Sequence, residues 1–177
     1  MRIIAGKYKS RKLKTLSGDQ TRPTLDHVKE SFFNRVGPFF DGGNVLDVFG
    51  GSGAIAIEFL SRGAQSASII ENNKQAIAVI KENIKLVEEE VKLYPMSYQK
   101  ALIRLNYTFD YIYCDPPYQF KEIDKLFSLL RNVSDTKTLI FYEADKKEDI
   151  QTPEGFTCLR VDDYKRTKIL WFQPSNG

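Results

Sequence analysis

Four consecutive residues, Asp115-Pro116-Pro117-Tyr118, close the apolar run Phe109-Asp110-Tyr111-Ile112-Tyr113-Cys114 and combine an acid, a stiff backbone and an aromatic ring. Neither proline has an N–H to give to a ladder, so a strand over 109–114 must stop there and leave a rigid loop. Such a loop suits chemistry on a planar exocyclic amine. The lone pair of that amine is delocalised into its ring or carbonyl, so it becomes a usable nucleophile only when acceptors hold both hydrogens and the flat group is clamped. Asp115 can supply one acceptor, the Pro116 carbonyl a second, and Tyr118 a stacking face. A strand ending in an ordinary proline turn, with Asp115 as turn residue and Tyr118 in the core, would use the same four residues, so the rest of the chain decides between them.

A second group of residues with chemical potential lies upstream. Asn44-Val45-Leu46-Asp47-Val48-Phe49 reads as a short apolar strand that runs into Gly50-Gly51-Ser52-Gly53 and then into a helical pattern carrying Ile55, Ile57, Phe59 and Leu60. Strand, glycine turn and helix N-terminus form the first unit of a nucleotide-binding α/β fold. Eighteen residues beyond Gly53, Glu71 ends a second strand, Ser66-Ala67-Ser68-Ile69-Ile70, where an acid followed by Asn72 can accept hydrogen bonds from ribose hydroxyls. The run Gly51-Ser52-Gly53-Ala54-Ile55-Ala56 also fits the dinucleotide fingerprint with alanine in third place, so an NAD-dependent oxidoreductase is the competing reading. A basic segment and a helix precede this fingerprint, and the length predicts no second substrate domain. Asp47, just before the turn, favours a ligand that carries an amino group and lacks a pyrophosphate. S-adenosylmethionine meets that description, with its ammonium at Asp47 and its ribose at Glu71.

The elements that must position these groups follow from periodicity. Leu25, Val28, Phe32 and Val36 fall at helical spacing behind Thr24, a good N-cap. Ile77, Ile80, Ile84 and Val87 mark a long amphipathic helix, 91–94 a third strand, 98–105 a third crossover helix, and Ile123, Leu126, Phe127 and Leu130 a further helical face. A fifth strand is expected over 138–142, ending at Glu143. The tail alternates well enough for a closing hairpin that turns at Asp162-Asp163. Strands alternating with helices predict a mainly parallel sheet with an antiparallel pair at its C-terminal edge. Ligands bind outside the carboxyl ends of such strands, so the 47–53 segment, Glu71, Met96-Ser97 and 115–118 should converge although they span about seventy residues.

Composition limits the other classes. At 177 residues, with 42% hydrophobic and 28% charged residues, the chain fits one soluble α/β domain and a small appendage. No transmembrane-length segment or signal-peptide core is present, so a cytoplasmic protein is expected. Cys114 and Cys158 lie outside any Cys-x-x-Cys pattern and His27 is the single histidine, which argues against a disulfide framework and a metal site. Cys114 precedes the Asp-Pro-Pro motif, whereas the nucleophile of cytosine-C5 methyltransferases follows a proline, so Cys114 is expected to be a buried strand residue. The net charge of +3 is modest, but six cations and no acid fall within the first fourteen residues. Arg2, Lys7, Lys9, Arg11, Lys12 and Lys14 could therefore form a basic hairpin or arm that lies along RNA phosphates. A solvated charged terminus would have the same composition.

Taken together, Arg2-Ile3-Ile4-Ala5-Gly6, Arg22-Pro23-Thr24-Leu25-Asp26, Leu46-Asp47-Val48-Phe49-Gly50-Gly51-Ser52-Gly53-Ala54 and Asp115-Pro116-Pro117-Tyr118, in this order and spacing, closely resemble the bacterial 16S ribosomal RNA guanine-N2 methyltransferases. The resemblance covers nearly the whole chain. The last two motifs recur across S-adenosylmethionine-dependent amino-methyltransferases, and the first two point to this branch. It implies the Rossmann-like seven-stranded class I methyltransferase fold at 21–177 behind a basic arm at 1–20. It also implies a guanine of 16S rRNA, within the small ribosomal subunit or an assembly intermediate, as substrate. Two departures stand out. Met96-Ser97 occupies the place where the family commonly holds the adenine amine with Asp or Asn, and Tyr164-Lys165 replaces a usual Tyr-Gly pair.

The expected catalytic residues are then Asp115, Pro116, Pro117 and Tyr118. Those for the methyl donor are Asp47, Phe49, Gly50, Gly51, Ser52, Gly53, Glu71, Asn72, Met96, Ser97 and Asp115; those for RNA are Arg2, Lys7, Lys9, Arg11, Lys12, Lys14 and Arg22, and no metal is expected. An adenine N6 amine or a protein glutamine amide would fit the same loop, since it serves any planar amine.

Overall fold

The computed structural model describes residues 1–16 and 23–176. Seven strands form one sheet in the order β3-β2-β1-β4-β5-β7-β6. The strands are β1 (Asn44–Val48), β2 (Ser66–Ile70), β3 (Glu90–Tyr94), β4 (Tyr111–Cys114), β5 (Leu139–Asp145), β6 (Phe156–Asp163) and β7 (Thr167–Pro174). The first five run parallel, and β7 joins β5 and β6 antiparallel. Among the described residues, α1 (Pro23–Val36) precedes the sheet, and α2 (Ala54–Ser61), α3 (Lys74–Asn83), α4 (Tyr98–Arg104) and α5 (Ile123–Leu130) connect its parallel strands. Among the described residues, no helix is long and apolar enough to cross a membrane.

Helices cover both faces of the sheet, so the central strands are buried on both sides and read as apolar runs rather than alternating ones. On one face Phe32, Phe33 and Phe59 from α1 and α2 pack with Val45, Tyr113, Phe141 and Trp171. On the other, Leu102 from α4 and Leu126, Phe127 and Leu130 from α5 pack with Leu46, Ile112, Cys114 and Tyr142. Phe32 meets Tyr113 and Phe141 edge-on at 5.2 and 4.8 Å between ring centres. Aromatic pairs of this geometry add about 0.5–1.5 kcal/mol beyond the area they bury.

Several boundaries differ from those read in the sequence: α1 begins at Pro23, so Thr24 lies within it rather than capping it, β4 starts at Tyr111, and β5 continues past Glu143 to Asp145. The long helix expected through Val87 stops at Asn83, and a 3-10 turn follows over Ile84–Leu86. Asn83 is buried and its side-chain amide donates to the Lys14 and Ser52 carbonyls, so its amide serves as a tertiary brace there. The closing hairpin turns at 164–166, not at Asp162-Asp163. Asp162 stays inside β6 because its carboxylate, 4% exposed, is held by Arg35 and Arg160 at 2.8 Å each, and Tyr164 closes the turn by donating to the Thr167 carbonyl.

The basic N-terminal segment is a small antiparallel hairpin, bridged between Arg2 and Lys12. It is docked rather than extended. Ile3, Tyr8 and Leu13 are buried against Ala54 and Ile57 of α2. Beneath it sits an ionic hub. Glu58 of α2, fully buried, accepts from the Ile4 and Ala5 amides at 3.0 and 3.2 Å, pairs with Arg62 at 2.8 Å and lies 3.5 Å from Lys29 of α1. Arg22, expected to contact RNA, lies outside the described residues.

Candidate active site

Parallel register brings the candidate residues together. Val48, Ile70, Tyr94 and Cys114 are the last residues of four adjacent strands and pair in register across the sheet. The segments that follow, 49–53, 71–72, 96–97 and 115–118, therefore leave along one edge. They line a cleft of about 710 Å³ whose walls include Phe49, Gly51, Glu71, Met96, Ser97 and Asp115. That volume falls within the usual range of small-molecule sites.

The glycine turn is shaped by two separate demands. At Gly50 a Cβ would stand 2.3 Å from Ile69 Cγ2, so a side chain is excluded by helix-to-strand packing. At Gly51, with φ +61°, a Cβ would meet nothing within 4 Å, because this backbone faces the cleft. Phe49 also adopts a left-handed conformation, φ 64°, as does Gln119, φ 59°, just past the proline loop. For residues with a Cβ this costs on the order of 1–2 kcal/mol each, and both strained residues flank the site.

Glu71 is tied into the turn. Its carboxylate accepts from Gly51 N at 2.8 Å and from Asn72 N and Asn73 N at 3.0 Å each. Three amides occupy three of its roughly four lone-pair positions and leave one for a ligand hydroxyl. Asn73 caps α3 by accepting from Ala76 N, and Ser97 caps α4 by accepting from Lys100 N. One lone pair of the Ser97 oxygen is thus engaged, and its hydroxyl can still offer a ligand its proton and its second lone pair.

A recess of about 190 Å³ adjoins the cleft, shares Phe49, Gly51 and Asp115 with it, and reaches Asp47, Lys29, Tyr113 and Glu143. Asp47 is 2% exposed; one of its oxygens takes a backbone hydrogen bond from Ala56, and Oδ2 has no partner among the described residues. Burial raises its carboxyl well above the ordinary range, and the nearby Glu71 charge adds to the rise. A buried carboxylate oxygen aimed into a recess is a costly feature unless a cation or donor meets it. Glu143 is likewise pushed up by burial and shares hydrogen bonds with Asp115 and Tyr113 that pull the other way. Two carboxyl groups can share a hydrogen bond only when one of them holds a proton.

The proline loop itself leaves β4 with Asp115 exposed and Tyr118 78% exposed, so the ring is presented outward and is not a core residue. Cys114 points to the opposite sheet face from Tyr113, is fully buried, and has its thiol raised well above normal by burial. A neutral, buried thiol is not a nucleophile.

Sequence reasoning did not assign a site role to four residues that contribute walls here. Phe49, Tyr98 and Phe120 form an aromatic trio with centroids 5.4–5.8 Å apart. Tyr98 and Phe120 were missing from the expected site, as were Glu122, which accepts from the Tyr98 hydroxyl at 3.1 Å, and Glu143. Burial and the Glu122 carboxylate push the Tyr98 phenol up to about 12. The position of Phe120, two residues past Tyr118 on the same loop, was the signal that could have found one of them.

The chain is similar to several known proteins. The family model described as conserved hypothetical protein 95 matches residues 1–173. The YlbH protein of Bacillus subtilis is 37% identical over 159 residues, 87% of this chain and 86% of its own length. Ribosomal RNA small subunit methyltransferase D of Haemophilus influenzae is 34% identical over 167 residues, 90% of this chain and 86% of its own. A Haemophilus influenzae protein of known structure superimposes with a TM-score of 0.80 at 30% identity, over 99% of this chain and 98% of that one.

Proposed function

The chain belongs to the conserved hypothetical protein 95 family, which includes bacterial small-subunit ribosomal RNA methyltransferases, and from that premise we propose that it methylates the exocyclic N2 amine of a guanine in 16S rRNA, with S-adenosylmethionine as donor. A methyltransferase that acts on ribosomal RNA is the activity its relatives share; the base, the atom and the donor are the finer reading. The observation that carries it is the position of Asp115 between the nucleoside-sized cleft and the recess that holds Asp47.

The residues present fit such a donor. The orphaned Asp47 oxygen suits an ammonium group, the open Gly51 backbone suits close approach, and Glu71 keeps one acceptor position for a ribose hydroxyl. Asn72, Met96 and Ser97 border the same cleft and would enclose the adenine. When bound, the donor supplies an electrophilic methyl carbon on a positively charged sulfur.

Asp115 and the Pro116 carbonyl accept the two amine hydrogens and turn the nitrogen lone pair toward that carbon. Pro116 and Pro117 keep the loop from relaxing, and Tyr118 stacks on the base. Asp47, Gly51 and Glu71 would hold the donor as it gives its methyl to that nitrogen and leaves as a neutral thioether. The nitrogen, made acidic by methylation, gives its proton late to the Asp115–Glu143 carboxyl pair, so Asp115 need not be a strong base. Alignment of this kind can be worth an effective molarity of about 10⁵ M or more. Drawing the base from its stack costs a few kcal/mol, which the Tyr118 face and cationic contacts offset. The folded shape of the RNA is read rather than a linear sequence.

The test is direct. The protein is incubated with methyl-labelled donor and either naked 16S RNA or small subunits from cells lacking the gene, and the labelled nucleotide is mapped. N2-methylguanine is expected, lost with Asp115→Ala while donor binding persists. Label in adenine or in a protein amide would overturn the substrate assignment, and full transfer by Asp115→Ala would remove that residue from its role.

A further inference from the structure

Beside the site lies a second cavity, of about 700 Å³, that the sequence did not suggest. Three segments far apart in the chain build it: the loop after β4, the end of β5 with its following turn, and the turn between β6 and β7. They contribute Lys121, Lys146, Lys147, Lys165 and Arg166, with the exposed Tyr118 ring at the rim. The two turns are locked together by a hydrogen bond from Lys146 N to the Arg166 carbonyl at 3.0 Å.

Charge is what distinguishes this cavity. Among the described residues, none of the five cations pairs with a carboxylate within 4 Å. The two acids in the lining are Asp145 and Glu148, and the Asp145 carboxylate is already bound by the Lys147 amide at 2.9 Å. Five cations against two carboxylates leave an excess of three positive charges, as large as that of the whole chain. The N-terminal hairpin is the reverse case. Lys7 is paired with Glu88 and Glu89, Lys14 with Glu82, and the Arg2 and Arg11 guanidiniums donate to the Ser10 and Leu86 carbonyls. Lys7 and Lys14 must share their charge with these carboxylates when they take a phosphate, and of the hairpin's cations only Lys9 and Lys12 have no carboxylate or carbonyl partner among the described residues; all five cations of the cavity are without one.

We propose that this cavity binds the backbone phosphates of RNA next to the target nucleotide, holding the strand while the base enters the site past Tyr118. The inference rests on the RNA methyltransferase reading and adds to it where the strand lies. Phosphate contacts of this kind fix register without reading bases. Tyr118 and the cavity share one loop, so a strand anchored on Lys146, Lys147, Lys165 and Arg166 delivers its neighbouring base to the stacking face. Lys165 adds a charge in the turn between β6 and β7.

The experiment measures binding of naked 16S RNA fragments across a salt series, apart from any methyl transfer. The variant Lys146→Ala/Lys147→Ala/Lys165→Ala/Arg166→Ala should lower the slope of log affinity against log salt by about 3, at about 0.7–0.9 per lost phosphate contact. Its donor affinity and unfolding midpoint should stay at the wild-type values. If the fourfold variant does not fold, Lys147→Ala and Lys165→Ala, both exposed, should each lower the slope by about 0.7–0.9. An unchanged slope, or a slope lost entirely in Lys9→Ala/Lys12→Ala of the hairpin, overturns the proposal. So does a loss of binding to an acidic ribosomal protein with RNA binding intact. Failure of the wild-type protein to methylate RNA would sink the parent reading instead, and it is read in a different assay.

Discussion

Asp47 sets the terms at the scale of single residues. Its carboxyl is raised by burial, chiefly through desolvation. A group whose folded pKa lies above its unfolded value gives stability that is complete below the unfolded value, about 3.9, and is lost as pH rises through the folded one. As pH rises above the unfolded value, the buried Asp47 carboxyl therefore takes stability away from the fold. Asp47→Asn should raise the unfolding free energy at pH 7 by about 1–3 kcal/mol and weaken donor binding. Urea unfolding of both proteins at pH 4 and pH 7 checks the first half: the gap should be wider at pH 7. Glu71→Ala should have no such stabilising side, because its carboxylate is satisfied by three amides. Calorimetry with S-adenosylmethionine should show a loss of about 1.5–3 kcal/mol, and tighter binding of NAD than of the methyl donor would favour the oxidoreductase. Both acids were legible in the sequence, because each ends or interrupts an apolar strand at a fixed distance from the glycine turn. Tyr98, Phe120 and Glu143 were not. Their roles depend on which rings and carboxyls meet across three different loops, and spacing along one segment does not encode that.

At the scale of elements, the sheet was readable because its signals are local. Apolar runs bounded by glycine, proline and acids gave all seven strands, and Cys114 and Tyr113 fell on opposite faces as a period of two requires. The hub around Glu58 was hidden for the opposite reason. A lone acid within Ile55-Ala56-Ile57-Glu58-Phe59-Leu60 reads as the solvent side of an amphipathic helix, yet the docked hairpin covers it and supplies two of its donors. Removing one member of a buried ionic group strands the others. Glu58→Ala leaves Lys29 and Arg62 buried, 6% and 2% exposed at their side chains, without their carboxylate. The expected loss is about 3–5 kcal/mol, measured by chemical unfolding, and Glu58→Gln should lose less because it keeps an acceptor for the hairpin amides. Limited proteolysis should cut the first sixteen residues of Glu58→Ala well before global unfolding. Equal cutting rates in wild type and variant would show that the hub does not hold the hairpin.

For the molecule as a whole, the question is whether the N-terminal hairpin serves the fold, the substrate or both. Its charge pattern suggests a separable arm, but Ile3, Tyr8 and Leu13 are each about 1–2% exposed. Fully burying a side chain of this kind contributes about 1.5–3 kcal/mol. Three such side chains therefore approach the total stability of an ordinary domain, about 5–15 kcal/mol. Deleting residues 1–14 should lower the thermal midpoint steeply, at about 2–4 °C per kcal/mol for a chain of this size. The deletion should weaken donor binding as well, since Met1 borders the recess that holds Asp47. A deletion is then a poor probe of RNA contact, and point changes are the better one. Lys9 and Lys12 are exposed, and no hydrogen bond or ion pair of their side chains is found among the described residues. Lys9→Ala and Lys12→Ala should leave the midpoint within about 0.5 kcal/mol of wild type. Each should reduce the RNA salt slope by about 0.7–0.9 if its ammonium reaches a phosphate. A slope that stays at the wild-type value in both variants would mean that the hairpin's charge is there to dock it onto Glu82, Glu88 and Glu89 rather than onto RNA.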